Sequence, residues 1–218
     1  RDLLMTEINN ILRLGVELKT AQAVGTQITL ETLAREFDAV VVAAGCTKPR
    51  VLGVDGEDLE NVYNGLAFMK AVNAGETLHV GNTVAVIGAG FTAVDCARSA
   101  IRLGAQQVAL HIRKTMDDMR IDETEKHEAR FEGIGVESLV QPAEILGQNG
   151  RVTGIRFVRT RIEKTGTPPY KKSVPIAGSE FVVPCDSVIA ALGQSPDVPD
   201  VSDALTGLEK DRHTTGMK

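Results

Sequence analysis

The stretch Thr83–Leu103, with the sequence TVAVIGAGFTAVDCARSAIRL, decides the fold of this chain. Its first five residues are small or β-branched and predict a buried strand, and the apolar residues after the glycines recur at helical spacing. A second strand, predicted at Gln107–Ile112, completes a βαβ unit of about thirty residues. A G-x-G-x-x-A turn in this position is typical of dinucleotide binding.

The small residues of this turn have separate stereochemical roles. Gly88 can form the tight turn after the strand, Gly90 lets a pyrophosphate approach the backbone, and Ala93 permits close packing of helix on strand. Phe91 and Thr92 complete the turn and begin the helix, whose N–H groups and positive end would face the phosphates. The alternative is a purely structural βα turn, since glycine also ends strands for conformational reasons.

The end of the second strand indicates which nicotinamide cofactor the turn would bind. An NAD site places an Asp or Glu there, whereas an NADP site needs cations for the 2′-phosphate. Here the strand ends in Arg113 and Lys114, and the next acid is Asp117. Arg113 can form two parallel hydrogen bonds with a phosphate and Lys114 can add a point charge, so the sequence predicts NADP(H). A solvated basic pair is the alternative.

Composition argues against several other classes of protein. The 218 residues are 43% hydrophobic and 24% charged, with a net charge of −5, as in ordinary globular proteins. Basic residues are scattered and aromatics make up 4%, which argues against a nucleic-acid interface. No apolar run approaches the roughly twenty residues of a membrane span. The cysteines and histidines lack metal-binding or disulfide spacing, so we expect a cytoplasmic protein without a bound metal.

The predicted secondary structure is that of an α/β protein. Helices are predicted for residues 1–14, 30–36, 65–74 and within 117–132. Strands are predicted for residues 16–19, 37–45, 136–140 and 186–192. Alternating apolar and polar residues between 143 and 184 predict antiparallel strands appended to the α/β unit. We therefore expect a Rossmann-like domain at residues 81–192, joined to a separate segment 1–45 by a connecting region at 46–80.

No side chains are spaced for acid–base or nucleophilic catalysis. No Tyr is followed four residues later by Lys, since Tyr63 precedes Ala67 and Tyr170 precedes Val174 at that spacing. Neither a G-x-S-x-G elbow nor a Walker-type loop is present. We therefore predict no catalytic side chain, and expect a second cofactor to carry the chemistry while the protein holds the nicotinamide against it.

Several stretches, taken in order, resemble the small (beta) subunit of NADPH-dependent glutamate synthase and its relatives. They are FDAVVVAAGCTKPRVLGVDGEDLENV, VIGAGFTAVDCARSAIRLGAQQV, HIRK, FEGIGVESLVQPAEILGQNGRVTGIRFVR and VPIAGSEFVVPCDSVIAALGQSPD. Together they cover nearly the whole chain. In that family an NADPH domain is inserted into an FAD domain, and hydride passes from NADPH to FAD. Electrons then pass through iron-sulfur clusters to a partner subunit or domain.

The resemblance implies roles for the residues around the turn. The family's pyrophosphate turn is matched by Gly88, Gly90, Phe91, Thr92 and Ala93, with Phe91 in place of the usual Asn. Arg113 and Lys114 match its pair of arginines for the 2′-phosphate. Arg120 departs from the pattern, because the family usually has Pro after the residue matched by Met119.

The resemblance also implies a division between two domains. Ala44 and Gly45 match the crossover that leaves the FAD domain, and Gly193 and Gln194 match the return to it. Residues 1–45 would then be part of an FAD domain and residues 193–218 the start of its returning segment. The family's FAD turn and its cysteine clusters would precede residue 1. We therefore expect the chain alone to bind NADP(H) at most weakly, to retain no FAD and to be inactive.

The leading hypothesis is thus the NADPH-binding part of a flavin-dependent oxidoreductase. The resemblance implies a partner like the glutamate synthase large subunit, or another electron-accepting partner, reached through iron-sulfur centres. A non-catalytic dinucleotide-binding or interaction module on the same fold is the alternative, because fold does not imply catalysis. A self-sufficient NAD dehydrogenase is disfavoured by Arg113 and Lys114 and by the missing acid–base pair. The sequence leaves the final electron acceptor open.

Overall fold

A computed structural model describes residues 2–167 and 170–197 of the chain. The chain divides into two compact units, one made of Arg1–Gly45 with Pro196–Lys218 and the other of Cys46–Ser195. Among the described residues, no helix is long and apolar enough to cross a bilayer.

In its described residues, the first unit contains two helices, α1 (Asp2–Leu12) and α2 (Leu30–Glu36). The α2 helix begins after Thr29, whose hydroxyl accepts the N–H of Thr32 at 3.1 Å, as an N-cap residue does. The strands predicted at residues 16–19 and 37–45 are wrong, because both segments are irregular here. A strand needs a hydrogen-bonded neighbour, and no described strand pairs with either segment.

The second unit contains most of the regular structure. Its strands are β1 (Lys48–Pro49), β2 (Val62–Asn64), β3 (Thr83–Ile87), β4 (Gln107–Ile112), β5 (Gly135–Ser138), β6 (Val140–Gln148), β7 (Arg151–Lys164), β8 (Lys171–Pro175), β9 (Phe181–Pro184), β10 (Ser187–Ala190) and β11 (Gln194–Ser195). Its α-helices are α3 (Gly65–Ala74), α4 (Phe91–Arg102) and α5 (Glu123–Phe131).

Five of these strands form a parallel sheet in the spatial order β2-β10-β3-β4-β5. Val86 at the centre of β3 lies opposite Leu110 of β4 and Ile189 of β10. The chain therefore forms the predicted βαβ unit from β3, α4 and β4, and the predicted α/β fold is confirmed. All five strands end at the same edge of the sheet, where α/β proteins bind ligands.

The other large sheet is antiparallel, and the long strand β7 is its centre. It pairs with β6 along one edge, and along its other edge it pairs with β9 in its first part and with β8 in its last part. The turn between β6 and β7 is Asn149-Gly150, with φ values of 53° and 80°. Two left-handed residues form the tight hairpin that matches strand twist. The appended antiparallel strands predicted from sequence alternation are confirmed.

Successive side chains of β3 point to opposite sides of the parallel sheet. Buried residues cover the sheet on both sides. On the helical face the core includes Phe68, Val84, Val86, Val94, Leu110 and Ala129. On the opposite face the core includes Ala85, Ile87, Ile145, Ile155 and Phe157. The unit is thus a parallel sheet between a layer of helices and an antiparallel sheet.

The segment 46–80, expected to be a connector, contributes β2 and α3 to this unit. Its irregular part pairs with the antiparallel sheet, because Asp55 C=O accepts the N–H of Ile145 at 2.9 Å and Glu60 C=O accepts that of Val152 at 3.2 Å. Asn64 caps α3, its side chain accepting the N–H groups of Leu66 and Ala67.

Two predicted elements have different bounds in the structure. The strand predicted at residues 136–140 is interrupted at Leu139, whose φ is +59°, so that β5 ends in one sheet and β6 begins in the other. The helix predicted within residues 117–132 is preceded by a 3-10 turn, Met116–Asp118, and begins only after Asp122. Asp122 ends the irregular segment because its carboxylate accepts the N–H of Glu125 at 2.8 Å, as an N-cap residue does.

Candidate nucleotide-binding site

The turn after β3 requires glycine at its first position. Gly88 has a φ of +154°, and a Cβ there would lie 2.4 Å from the carbonyl oxygen of Ala191 and 3.1 Å from the Cβ of Ala93. Ala93 is completely buried. The helix therefore packs directly on the strand end, as a small residue at this position permits.

The second glycine faces open space. Gly90 is the N-cap of α4 in an extended conformation, and a Cβ on it would meet no atom within 4 Å. The first intrahelical bonds run from the N–H groups of Ala93 and Val94 to Gly90 C=O, at 3.0 and 3.3 Å. In the described part of the chain, the positive end of the helix thus lies beside a position with room for a Cβ, which suits an anion. Thr92 is half-buried here, and Phe91 is 52% exposed.

Two cations follow the neighbouring strand β4 at the same edge of the sheet. Arg113 is exposed and Lys114 is half-buried. Within residues 2–167 and 170–197 no carboxylate lies within ion-pair distance of either side chain. Both positive charges are therefore available to an external anion.

A nearby acid, Asp118, is held by other groups. Its carboxylate accepts from Lys171 Nζ and from the Thr115 hydroxyl, each at 2.7 Å. The hydrogen bonds from Lys171 and Thr115 lower the pKa of Asp118 to about 2. Asp118 consequently pairs with Lys171 and leaves Arg113 and Lys114 unneutralised.

The structure also places Arg120 beside the glycine turn. Its backbone N–H donates to Ala89 C=O at 3.1 Å, and Arg120 and Gly90 form an isolated parallel β-bridge. A Pro at this position could not donate that bond. The sequence had marked Arg120 only as a departure from a family pattern, since nothing local indicates that residue 120 returns to residue 89.

His111, on β4, contacts the glycine turn through its backbone. It is 4% exposed, and burial lowers its pKa to about 4, so the ring is neutral at pH 7. Its backbone carbonyl accepts the N–H of Gly88 at 3.3 Å. In the described residues its Nδ1 is buried without a hydrogen-bond partner. His111 therefore joins β4 to the glycine turn through its backbone.

The other predicted residues lie in two places. Gly193 and Gln194 follow β10, where Gly193 C=O accepts the N–H of Arg50 at 3.1 Å and Gln194 pairs with Pro49. Ala44 and Gly45 belong to the other compact unit, where both are exposed. The structure thus groups the residues of the glycine turn with the cations at one sheet edge.

A parallel sheet with this glycine turn at its carboxyl edge defines an α/β protein of the dinucleotide-binding type. The sequence profile of the pyridine nucleotide-disulphide oxidoreductases matches residues 4–215. The chain belongs to this family.

Two curated relatives are similar to this chain over most of its length. The chain is 36% identical over 201 residues to the NADP(+)-dependent formate dehydrogenase subunit beta of Moorella thermoacetica, covering 91% of this chain and 28% of that protein. It is 34% identical over 195 residues to the glutamate synthase [NADPH] small chain of Escherichia coli, covering 84% of this chain and 41% of that protein. The predicted resemblance to the glutamate synthase small subunit is confirmed. The chain spans less than half the length of these relatives.

A solved structure has the same fold. FprA of Mycobacterium tuberculosis in complex with NADPH matches with a TM-score of 0.64 and 19% identity, covering 87% of this chain and 56% of that chain.

Proposed function

We propose that residues 46–192 contain the NADPH-binding part of a flavin-dependent oxidoreductase. The observation that carries the proposal is the juxtaposition of an open, glycine-lined helix N-terminus with two cations that have no carboxylate partner among the described residues. The pyrophosphate would bind beside Gly90, and the 2′-phosphate would bind Arg113 and Lys114.

Relatives and fold support the nicotinamide cofactor. One relative is named as NADP(+)-dependent and another as NADPH-dependent, and the solved neighbour holds NADPH. A bidentate guanidinium and an ammonium group suit the extra phosphate that distinguishes NADPH from NADH.

In the whole protein, we propose, FAD accepts the hydride and electrons pass on to a partner subunit or domain with iron-sulfur centres. Both relatives described above are named as a subunit or chain of a larger enzyme, which supports a partner in general. Residues 1–45 and 193–218 would belong to the FAD domain, with Ala44, Gly45, Gly193 and Gln194 at the two crossovers.

The protein's part in this reaction is positional. FAD, when bound, supplies the hydride acceptor. The glycine turn would hold the pyrophosphate, and Arg113 and Lys114 would hold the adenosine end through its 2′-phosphate. No residue of this chain is assigned a proton-transfer step, since the predicted site residues include no Asp, Glu, His, Cys or Tyr.

Titration of the chain with NADPH and NADH tests the nucleotide assignment. We expect tighter binding of NADPH, and the charge reversal Arg113→Glu should erase the preference because the repelled group is the 2′-phosphate. The matched control is Arg13→Glu, which makes the same charge change at an exposed position of the other unit. Equal affinities for both nucleotides in the unaltered chain, or an unchanged preference in Arg113→Glu, would contradict the assignment.

Absorption spectroscopy tests the expectation that the chain alone retains no FAD. A stoichiometric flavin band at about 450 nm in the purified chain would overturn that expectation. It would also favour an active unit over a non-catalytic dinucleotide-binding module, which is the second candidate function.

A further inference from the structure

We propose that Thr160 and Ser173, on the antiparallel sheet, are positioning residues that set the preference for the 2′-phosphate by fixing the backbone of Arg113. This inference rests on the proposed function, because it assigns the hydroxyl groups to the same nucleotide site. Neither residue belongs to the glycine turn, and neither is adjacent to the cations in sequence.

Both hydroxyl groups bind one carbonyl. The Thr160 hydroxyl donates to Arg113 C=O at 3.0 Å, and the Ser173 hydroxyl donates to the same oxygen at 2.6 Å. A carbonyl oxygen has two lone pairs and can accept both bonds. Thr160 is 3% exposed, so its bond is shielded from competing water.

The carbonyl of the next residue, Lys114, is bonded to the same network as that of Arg113. Lys114 C=O accepts the N–H of Leu139 at 3.1 Å, and Leu139 C=O accepts the N–H of Thr160 at 2.8 Å. Leu139 forms these two bonds in a left-handed conformation, with φ +59°. This conformation costs free energy for a non-glycine residue. Two consecutive carbonyls at the end of β4 are therefore connected through Leu139 and Thr160 in one hydrogen-bonded network.

Strand β8 also binds the other end of the segment 113–118, which carries the two cations. Lys171, two residues before Ser173, binds Asp118 at 2.7 Å. The segment 113–118 is thus fixed by Ser173 at its beginning and by Lys171 at its end. Since β8 pairs only with β7 within the described part of the chain, the last part of β7 and β8 together form a support for the cation-bearing loop.

This support matters for a phosphate because of conformational entropy. Long cationic side chains lose rotamer freedom on binding, and a mobile backbone beneath them would add to that loss. A backbone fixed in advance confines the loss to the side chains. Removing the hydroxyl groups should therefore weaken contacts to the 2′-phosphate, which NADH lacks, and leave contacts to the shared pyrophosphate unchanged.

The test compares nucleotide affinities of Thr160→Val, Ser173→Ala and the double variant with those of the unaltered chain. The double variant should bind NADPH about fivefold more weakly, the effect of roughly one hydrogen bond, and should bind NADH as before. Thr160→Ser, which keeps a hydroxyl group, should retain most of the preference.

Ser187→Ala is the matched structural control. The buried Ser187 hydroxyl donates to Val80 C=O at 2.8 Å, at the amino end of β10 and hence at the opposite edge of the sheet from the cations. Its loss removes a comparable buried bond. We expect a reduced melting temperature in both Ser187→Ala and Thr160→Val, but a changed NADPH-to-NADH ratio only in Thr160→Val.

The outcomes separate this inference from the proposed function. If the unaltered chain prefers NADPH and the folded double variant keeps the full preference, the positioning role is wrong while the nucleotide assignment stands. If NADPH and NADH affinities fall equally, the hydroxyl groups act on the whole fold and the inference is also wrong. If the unaltered chain binds both nucleotides equally, the proposed 2′-phosphate site fails and the inference fails with it.

Discussion

His111 and Phe157 stack face to face across the two large sheets, with ring centroids 4.5 Å apart and planes inclined by 10°. His111 lies on parallel strand β4, two residues before Arg113, and Phe157 lies on antiparallel strand β7. The stack continues through Phe181, 5.8 Å from Phe157, to the guanidinium of Arg159, 4.5 Å from the Phe181 ring. An ionisable ring is thus buried between the layer that would bind nucleotide and the layer that supports it.

We predict that the stability of the chain decreases as pH falls from neutral. Burial lowers the pKa of His111 from 6.5 to about 4, so the unfolded chain binds more protons than the folded chain between these values. Its contribution is complete above pH 6.5, is lost as pH falls through this window, and amounts to a difference on the order of 3 kcal/mol. Urea unfolding followed by circular dichroism at several pH values measures it.

The variant His111→Phe isolates this effect. Phenylalanine can keep the stack on Phe157 and cannot titrate, so the unfolding free energy of this variant should be nearly flat in the upper part of the window. Towards pH 4.5 it should fall in both chains, because folding also lowers the pKa values of Glu60 and Glu132 from 4.5. Asp118 does not interfere, because its stabilising charge is lost only as pH falls below its ordinary pKa of 3.8 towards about 2. If His111→Phe shows the same pH dependence as the unaltered chain, another group causes it.

Alanine substitutions at the two turn glycines should have different effects on stability. Gly88→Ala places a methyl group against the Ala191 carbonyl in a conformation that favours glycine, so we expect a loss of roughly 2 kcal/mol or more in stability. Gly90→Ala meets no protein atom, so its stability should change by less than about 0.5 kcal/mol.

Nucleotide affinity separates the two variants further. The Gly90→Ala methyl group projects into the space proposed for the pyrophosphate, so this stable variant should bind NADPH at least about tenfold more weakly. Melting temperature and nucleotide titration on the same samples provide the comparison. Full NADPH affinity in Gly90→Ala would place the pyrophosphate elsewhere.

The predictable part of the fold is the part that local periodicity specifies. The strand, turn and helix of Thr83–Leu103 follow from apolar spacing and from two glycines, and a basic pair at the end of β4 is visible in the sequence itself. The antiparallel strands likewise follow from the alternation of apolar and polar residues. Each of these signals lies within about fifteen residues.

The features that the sequence did not predict depend on contacts between residues that lie far apart in the chain. The apolar run at residues 37–45 predicts a strand, yet pairing decides whether a strand forms. Leu139 carries no local sign of a left-handed conformation, since leucine rarely adopts one. The two hydroxyl groups that donate to Arg113 C=O belong to Thr160 and Ser173, which lie 47 and 60 positions further along the chain. Such contacts follow from tertiary packing and not from any short motif.

The three cysteines should differ in reactivity. Cys46 is exposed, whereas Cys96 and Cys185 are buried, and burial raises the pKa of each buried thiol to about 12. Because the thiolate is the reactive form, an aromatic disulfide reagent should titrate one thiol in the native chain and three in denaturant. Cys46→Ser should abolish the native reaction. Rapid modification of a second thiol would show that Cys96 or Cys185 becomes accessible in the folded state.

A charge network between α4 and α5 should contribute measurably to stability. Arg98 Nε donates to Glu132 at 2.7 Å, and Arg98 also lies 3.2 Å from Glu128 and 3.6 Å from Glu125. Arg102 binds Glu132 from the next turn of α4, at 3.3 Å. The hydrogen bond from Arg98 is the main cause of the lowered pKa of Glu132. We predict that Glu132→Gln destabilises the chain by about 1 kcal/mol.

The matched control is Glu163→Gln, which removes the exposed ion pair of Arg161 and Glu163 within strand β7. That pair joins residues two apart on a single strand, so its loss should leave the unfolding free energy nearly unchanged. The Glu132 effect should shrink at high salt, because these side chains remain partly exposed and mobile ions screen them. Equal changes in the two variants would mean that the network does not join α4 to α5. The α5 helix would then be held by apolar contacts such as those of the buried Ala129.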